Sequence, residues 1–210
     1  MSLSPQQHLA QAVASRICHD LVSPVGAVVN GMDLLGEMAG MPATEEITLI
    51  GQSARRSADV LAFHRLALGA GTEAGGMARP KVLAIVEAML AGPRIPLSRQ
   101  GAEGPPIGRM LARTVALSAL CLRQLLGMRG ALSIRLAPET DYPVAVRVDG
   151  VDLERRAAMV ALLLTEQKPG PGCDPRTVEF LLVRDAARQA GALFEPVVSG
   201  TTAEITLRPF

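Results

Sequence analysis

The stretch AVASRICHDLVSPVGAVVN, from Ala12 to Asn30, constrains this chain more than any other. Wound at 100° per residue, its large apolar side chains converge. Val13, Ile17, Leu21, Val28 and Leu35 lie within about 40° of a shared direction, the signature of a helix that buries one stripe. His19 points roughly 200° away from Ile17, on a face it shares with Ser15, Ser23, Gly26 and Asn30. A helix of this kind buries its seam and holds an imidazole out to solvent among small neighbours.

The helix is predicted over residues 4–38. Ser4 is placed as N-cap, with Pro5 at the first helical position, where its missing N–H costs nothing. Pro24 removes one backbone hydrogen bond and should bend the helix a turn beyond His19. The segment MAGMPAT, with Gly40 and Pro42, reads as a turn. Thr44, followed by Glu45 and Glu46, then caps a second helix running to about Leu68. Two long helices on a short connection form an antiparallel hairpin. Such a hairpin leaves apolar seams uncovered. Pairing with a second copy into a dimeric four-helix bundle covers them, and docking against the chain's own second half is the alternative.

Gly69 to Gly76 reads as a linker, dividing a helical domain over 1–72 from a second domain over 77–210. In the second, helices are expected at 80–90, 107–126, 152–164 and 177–189, with Gly191 as a C-cap. Strands are expected at 95–98, 131–136, 144–148, 192–198 and 203–207, with Met128-Arg129-Gly130 as a turn. Together they make an α+β sandwich, helices on one face of a mixed or antiparallel sheet. The fold class is thus a two-domain α plus α/β chain.

Composition narrows the function. Lys plus Arg number 21 against 20 Asp plus Glu, and aromatics are 2%. That balance supplies neither the electrostatic footprint nor the stacking platforms that nucleic acid or an anionic membrane surface requires. The cysteines, Cys18, Cys121 and Cys173, are scattered and lack a CxxC pair, which disfavours structural zinc or a disulfide framework and suits a reducing cytoplasm. The opening MSLSPQQHLAQ shows no secretory pattern, and no uninterrupted apolar run approaches the ~18 residues of a membrane span. A cytoplasmic location is expected.

His19 is the candidate for chemistry, with an ordinary surface histidine as the alternative reading. An exposed neutral imidazole is a good nucleophile toward a phosphoryl group, and such transfer needs chiefly positioning and charge neutralisation. Asp20 is placed to accept a hydrogen bond from the other ring N–H, fixing the tautomer. Arg16, one turn earlier, is read as meeting an acidic partner surface, as screening the phosphoryl group, or as a solvated arginine. Ser23 is read as bonding back to the helix in preference to orienting a water. His8 is read as part of a solvated terminus, His64 as a packing or surface residue, and Cys18 as a small buried hydrophobe.

The run His19-Asp20-Leu21-Val22-Ser23-Pro24 resembles the H-box of histidine kinases. The longer SRICHDLVSPVGAVVNGMDLL is similar to that of ChpT-type bacterial histidine phosphotransferases. Weaker similarity continues through FHRLALGAG and ARQAGALFE. The resemblance implies a dimeric phosphotransfer hairpin followed by a degenerate GHKL (Bergerat) ATPase-like domain without ATP binding. It implies His19 as phosphoacceptor, loaded by the receiver aspartate of a hybrid histidine kinase and discharged to response regulators of the CtrA and CpdR type. Arg16, Ser23, Gly26 and Asn30 would meet or support the receiver. No cofactor of its own is implied, because the receiver supplies Mg²⁺. A non-catalytic scaffold and a receiver phosphatase remain as rivals.

One implication has an independent test in the residues. A GHKL nucleotide site holds Mg²⁺ through an asparagine of its N-box helix, whose counterpart here is LARTVALSALCLRQLLG, and wraps the nucleotide with DxGxG and GxG boxes. The single asparagine of this chain is Asn30, in the wrong helix, and no DxGxG occurs. The glycines of GAEGPP and KPGPGC read as turn punctuation. Calorimetric titration with Mg-ATP is expected to show no binding; micromolar affinity would reinstate a kinase.

Overall fold

The computed structural model describes residues 3–37, 44–69, 75–136 and 144–210. The first helix, α1, spans Pro5–Glu37 and continues through Pro24. Its start is a reciprocal cap: Ser4 Oγ accepts from the Gln7 N–H at 3.3 Å, and Gln7 Oε1 accepts from the Ser4 N–H at 2.7 Å. Both orphan donors are thereby satisfied, with Pro5 next in line. The second helix, α2, spans Thr44–Ala67. Residues 38–43 of the MAGMPAT turn and most of the glycine-rich linker fall outside the described residues, as does the Thr44 side chain read as a cap; Thr44 itself is the first residue of α2.

The two helices run antiparallel. Asp20 meets His64 near one end, and Gly31 lies beneath Ile50 near the other. A Cβ on Gly31 would come within 2.5 Å of Ile50 Cγ1, so glycine permits the close approach there. By length and composition α1 is apolar enough to cross a membrane, contrary to the reading from uninterrupted runs. Its polar side argues for packing, since Arg16, His19 and Asp20 are bonded within the chain.

At the base of the hairpin, Val60, Phe63, Leu66 and Ala67 are buried. Phe63, Leu66 and Ala67 belong to the same apolar core as the second half of the chain. The α2 terminus is tied there by Arg113, whose Nε donates to the Ala67 carbonyl at 3.1 Å. The docking alternative therefore holds for the base. Higher up, Val22, Val25, Val29 and Met32 of α1 and Ile47 and Leu49 of α2 are exposed within the single chain, as is Leu61 on the outward side of the base.

Beyond the hairpin, Gly76–Met77 (β1) pairs antiparallel with Ile107–Gly108 (β3), a short ribbon where the sequence reading placed the end of the linker and the start of the 107–126 helix. Between them lie the helix Arg79–Leu90 (α3) and the strand Leu97–Gln100 (β2). Then follow the helix Arg109–Leu125 (α4), the strands Leu126–Arg135 (β4) and Val144–Val151 (β5), and the helix Leu153–Leu164 (α5). The helix Val178–Gln189 (α6) and the hairpin Ala192–Ser199 (β6) and Thr202–Pro209 (β7) complete the chain. The sheet order is β2-β4-β5-β7-β6, with β2 parallel to β4 and the other pairs antiparallel. The sheet is thus mixed, and alternation sets its faces. Leu132, Ile134, Val146, Val148, Ile205 and Leu207 are buried, whereas Arg147 is exposed and pairs with Asp149 at 2.8 Å.

Several boundaries move from their predicted places; the helix expected from 107 begins at Arg109, and the strand expected to end at 148 runs to Val151. Ile95 forms only an isolated bridge to Gly92, and the paired strand begins at Leu97. Met128-Arg129-Gly130 is not a turn, because β4 already pairs Leu126 with Val151 and passes these residues through a register shift. Gly130 and Gly150 both take positive φ at this irregularity, which explains a glycine that sequence alone reads as a turn.

One buried cation organises the loop before β3. Arg79, 1% exposed, donates through Nη1 to the Glu103 carbonyl at 2.7 Å and through Nε to the Pro105 carbonyl at 2.9 Å. Gly101 and Gly104 of that loop have φ of +73° and +118°, and a Cβ on Gly104 would strike the guanidinium. Arg79→Met should leave these carbonyls unsatisfied and lower stability by about 3 kcal/mol in urea denaturation.

Candidate functional site

His19 stands on α1 with its side chain 71% exposed. Its Nδ1 lies 3.1 Å from Asp20 Oδ1. The other carboxylate oxygen, Oδ2, accepts from Arg16 Nε at 3.0 Å and from His64 Nε2 at 3.1 Å. Arg16 precedes Asp20 by one helical turn, the spacing at which helical ion pairs meet. His64 comes from α2, and antiparallel packing brings it opposite.

Arg16 also connects the hairpin to the second half. Its Nη1 donates to the Arg176 carbonyl at 3.1 Å and lies 3.8 Å from Glu179 Oε2 on α6. Glu179 is fully buried, and its Oε1 accepts from the Gln124 amide of α4. The same amide donates to the Arg176 carbonyl at 2.6 Å. A single polar chain thus runs from His19 through Asp20 and Arg16 to α6 and α4.

The two acids respond to burial in opposite ways. For Asp20 burial alone would raise the pKa, but donation from His64 and His19 and the charge of Arg16 outweigh it and hold the group well below the usual carboxylate range. Asp20 is an anion. For Glu179 burial dominates and lifts the pKa to about 7, against the opposing pull of Arg16. The long Arg16 contact and an Oε2 that accepts no hydrogen bond explain why the charge is weakly compensated.

These contacts sort the residues singled out in the sequence. His19 and Asp20 are adjacent and hydrogen-bonded as expected. Ser23 and Asn30 are exposed on the face beyond His19, and Gly26 is half-buried with open space where a Cβ would stand. Ser23 also lies on a groove with Asp20, Gln52 and Arg56. Arg16 is not the solvated arginine of one reading: at 14% exposure it turns inward onto Asp20. His8 is half-buried, not solvated. Cys18 is exposed, not buried, because position 18 falls on the outward stripe with Val22 and Val25. His64 is buried, as its packing reading has it, but its bond to Asp20 escaped sequence reading, as did Glu179 altogether. His64 sits in helical register with Val60, Phe63 and Ala67, which marks burial, but its partner is 44 residues away.

Chemically the arrangement commits one imidazole nitrogen and leaves the other free. Asp20 as an anion can only accept, so His19 Nδ1 carries the proton and Nε2 presents a lone pair. Among the described residues no group of three or more His, Cys, Asp or Glu side chains could hold a metal ion.

The raised pKa of Glu179 makes a stability statement. Its proton favours the fold fully below about pH 4.5, and the contribution is lost as pH rises through about 7. Glu179→Gln should abolish that decline and exceed the parent chain at pH 8 by on the order of 1–2 kcal/mol, read from thermal melts across pH 5–8.

Comparisons with known proteins identify the family. The profile of the histidine phosphotransferase C-terminal domain matches residues 79–202. Protein phosphotransferase ChpT of Brucella abortus (strain 2308) is 46% identical over 67 residues, 32% of this chain and 31% of that protein. The match spans about a third of the relative's length. A solved structure described as a bacterial phosphotransferase superposes with a TM-score of 0.73 at 21% identity, covering 99% of this chain and 98% of that one. That likeness establishes a shared fold. The chain belongs to the histidine phosphotransferase family, of the ChpT type.

Proposed function

We propose that this chain is the phosphotransfer intermediate of a bacterial two-component phosphorelay, with His19 as phosphoacceptor. The observation that carries this reading is the exposed imidazole whose Nδ1 is held by Asp20 at 3.1 Å. Nε2 attacks the phosphorus of an aspartyl phosphate on the receiver domain of a hybrid histidine kinase. The N–P bond forms as the P–O bond breaks, and the receiver aspartate leaves as a carboxylate. Asp20 balances the positive charge that develops on the ring. The reverse exchange loads the aspartate of a response regulator, of the CtrA or CpdR type by resemblance. Mg²⁺ belongs to the receiver's acidic pocket. Ser15, Ser23, Gly26 and Asn30 leave room for receiver loops beside His19.

The second half supplies support in place of ATP chemistry. The Arg176 carbonyl before α6 and Glu179 on α6 anchor Arg16, which orients Asp20, and Gln124 of α4 bonds the same carbonyl. The acting unit is a homodimer. Val22, Val25, Val29 and Met32 recur at alternating spacings of three and four on α1, and Ile47, Ala54, Ala58 and Leu61 follow a matching register on α2. Each stripe lies about 100° around its helix from the α1–α2 contact, so both face one side, where a second hairpin completes a four-helix bundle. Each large side chain covered there contributes roughly 1.5–3 kcal/mol. The reaction is placed in the cytoplasm, in keeping with three unpaired cysteines.

The test is incubation with a ³²P-phosphorylated receiver and Mg²⁺. Label should move to this chain as an acid-labile, alkali-stable phosphohistidine. His19→Ala should abolish labelling, yet sediment as a dimer, because the ring is exposed. Release as free phosphate alone would identify a phosphatase, and neither outcome a scaffold.

A further inference from the structure

Three donors surround Asp20, and they divide unequally between its oxygens. Arg16 Nε and His64 Nε2 converge on Oδ2, leaving Oδ1 to His19 alone. His64 is the unexpected member. Its side chain is 1% exposed, and its Nδ1 has no hydrogen-bond partner. A leucine or phenylalanine would fill the same volume without leaving a buried nitrogen unpaired. What the imidazole adds is the contact of Nε2 with Asp20. The carboxylate accepts only, so His64 must carry its proton on Nε2. Nδ1 is then a bare lone pair, the cheaper group to orphan.

The consequence lies in what Asp20 does without that contact. Arg16 presents a planar fork suited to gripping both oxygens of a carboxylate. With only Arg16 holding it, Asp20 is free to rotate and surrender Oδ1 to the guanidinium, withdrawing it from His19. An imidazole not held at Nδ1 favours the proton on Nε2, the nitrogen that must attack.

We propose that His64 is a positioning residue for phosphotransfer: it pins Asp20 Oδ2 so that Oδ1 keeps the proton of His19 on Nδ1 and the Nε2 lone pair outward. The proposal rests on His19 as phosphoacceptor, but its primary readout does not.

The His19 tautomer is measured in the full chain by ¹⁵N-resolved NMR of the histidine side chains, beside the rate of label transfer from a phosphorylated receiver. In His64→Leu, and in the bulkier His64→Phe should leucine fold poorly, the His19 proton should shift toward Nε2 and transfer should slow about tenfold. His64→Gln, whose amide donates to Asp20, should restore the Nδ1-protonated ring and most of the rate. In an Asp20→Ala background, His64→Leu should add nothing further. An unchanged tautomer in a folded apolar variant overturns the proposal, as does failure of glutamine to rescue where leucine has an effect. Should the parent chain accept no label, the relay reading fails, and the tautomer alone judges His64.

Discussion

The Asp20 carboxylate is the junction through which the two halves of this protein communicate. It is mostly enclosed, yet anionic, because two imidazoles and a guanidinium donate to it. Each donor comes with a structural obligation. Arg16 requires α1 to lie against α6 and the turn before it, and His64 requires α2 to cross α1 at one height. His19 requires only that the next residue's carboxylate stay still. A buried charge with three partners tolerates few alternative arrangements, since losing any one exposes the cost of desolvation. The network therefore specifies geometry more than it adds stability.

The hairpin shows how one element serves two purposes. Its base is sealed into the common core through Phe63, Leu66 and Ala67, while its upper part keeps valines, a methionine, an isoleucine and a leucine in water. Docking at the base fixes α1 and α2 relative to α4 and α6. Exposure above leaves an apolar surface of helical register, the kind that a monomer seldom retains without a partner. The proposed dimer and the proposed relay occupy different faces of the same helix, so assembly need not obstruct the visiting receiver.

Comparison of sequence and structure is instructive where they part. The helix boundaries, the Ser4 cap and the strand alternation in VAVRV were legible, because each depends on neighbours within a few residues. Arg16 was not. From sequence it is a helical cation beside a candidate nucleophile, equally suited to solvent or to a partner; only α6 shows that it turns inward. Cys18 was misread because its small apolar character says nothing about which stripe of a long helix it occupies. Gly130 was taken for a turn, since a positive-φ glycine looks the same in a turn as in a strand irregularity.

What the sequence determined by itself is the local chemistry: a run resembling an H-box on an amphipathic helix, His19 beside Asp20 on the side away from the seam, and a second half of alternating helices and strands. Periodicity and adjacency suffice for these. Tertiary structure alone decided that Asp20 is shared with a histidine 44 positions away and that Arg16 is anchored near Glu179. Those contacts depend on the crossing of α1 with α2 and the packing of α6 beneath them. Such packing is set by the summed burial of many side chains and leaves no mark at the residues it brings together.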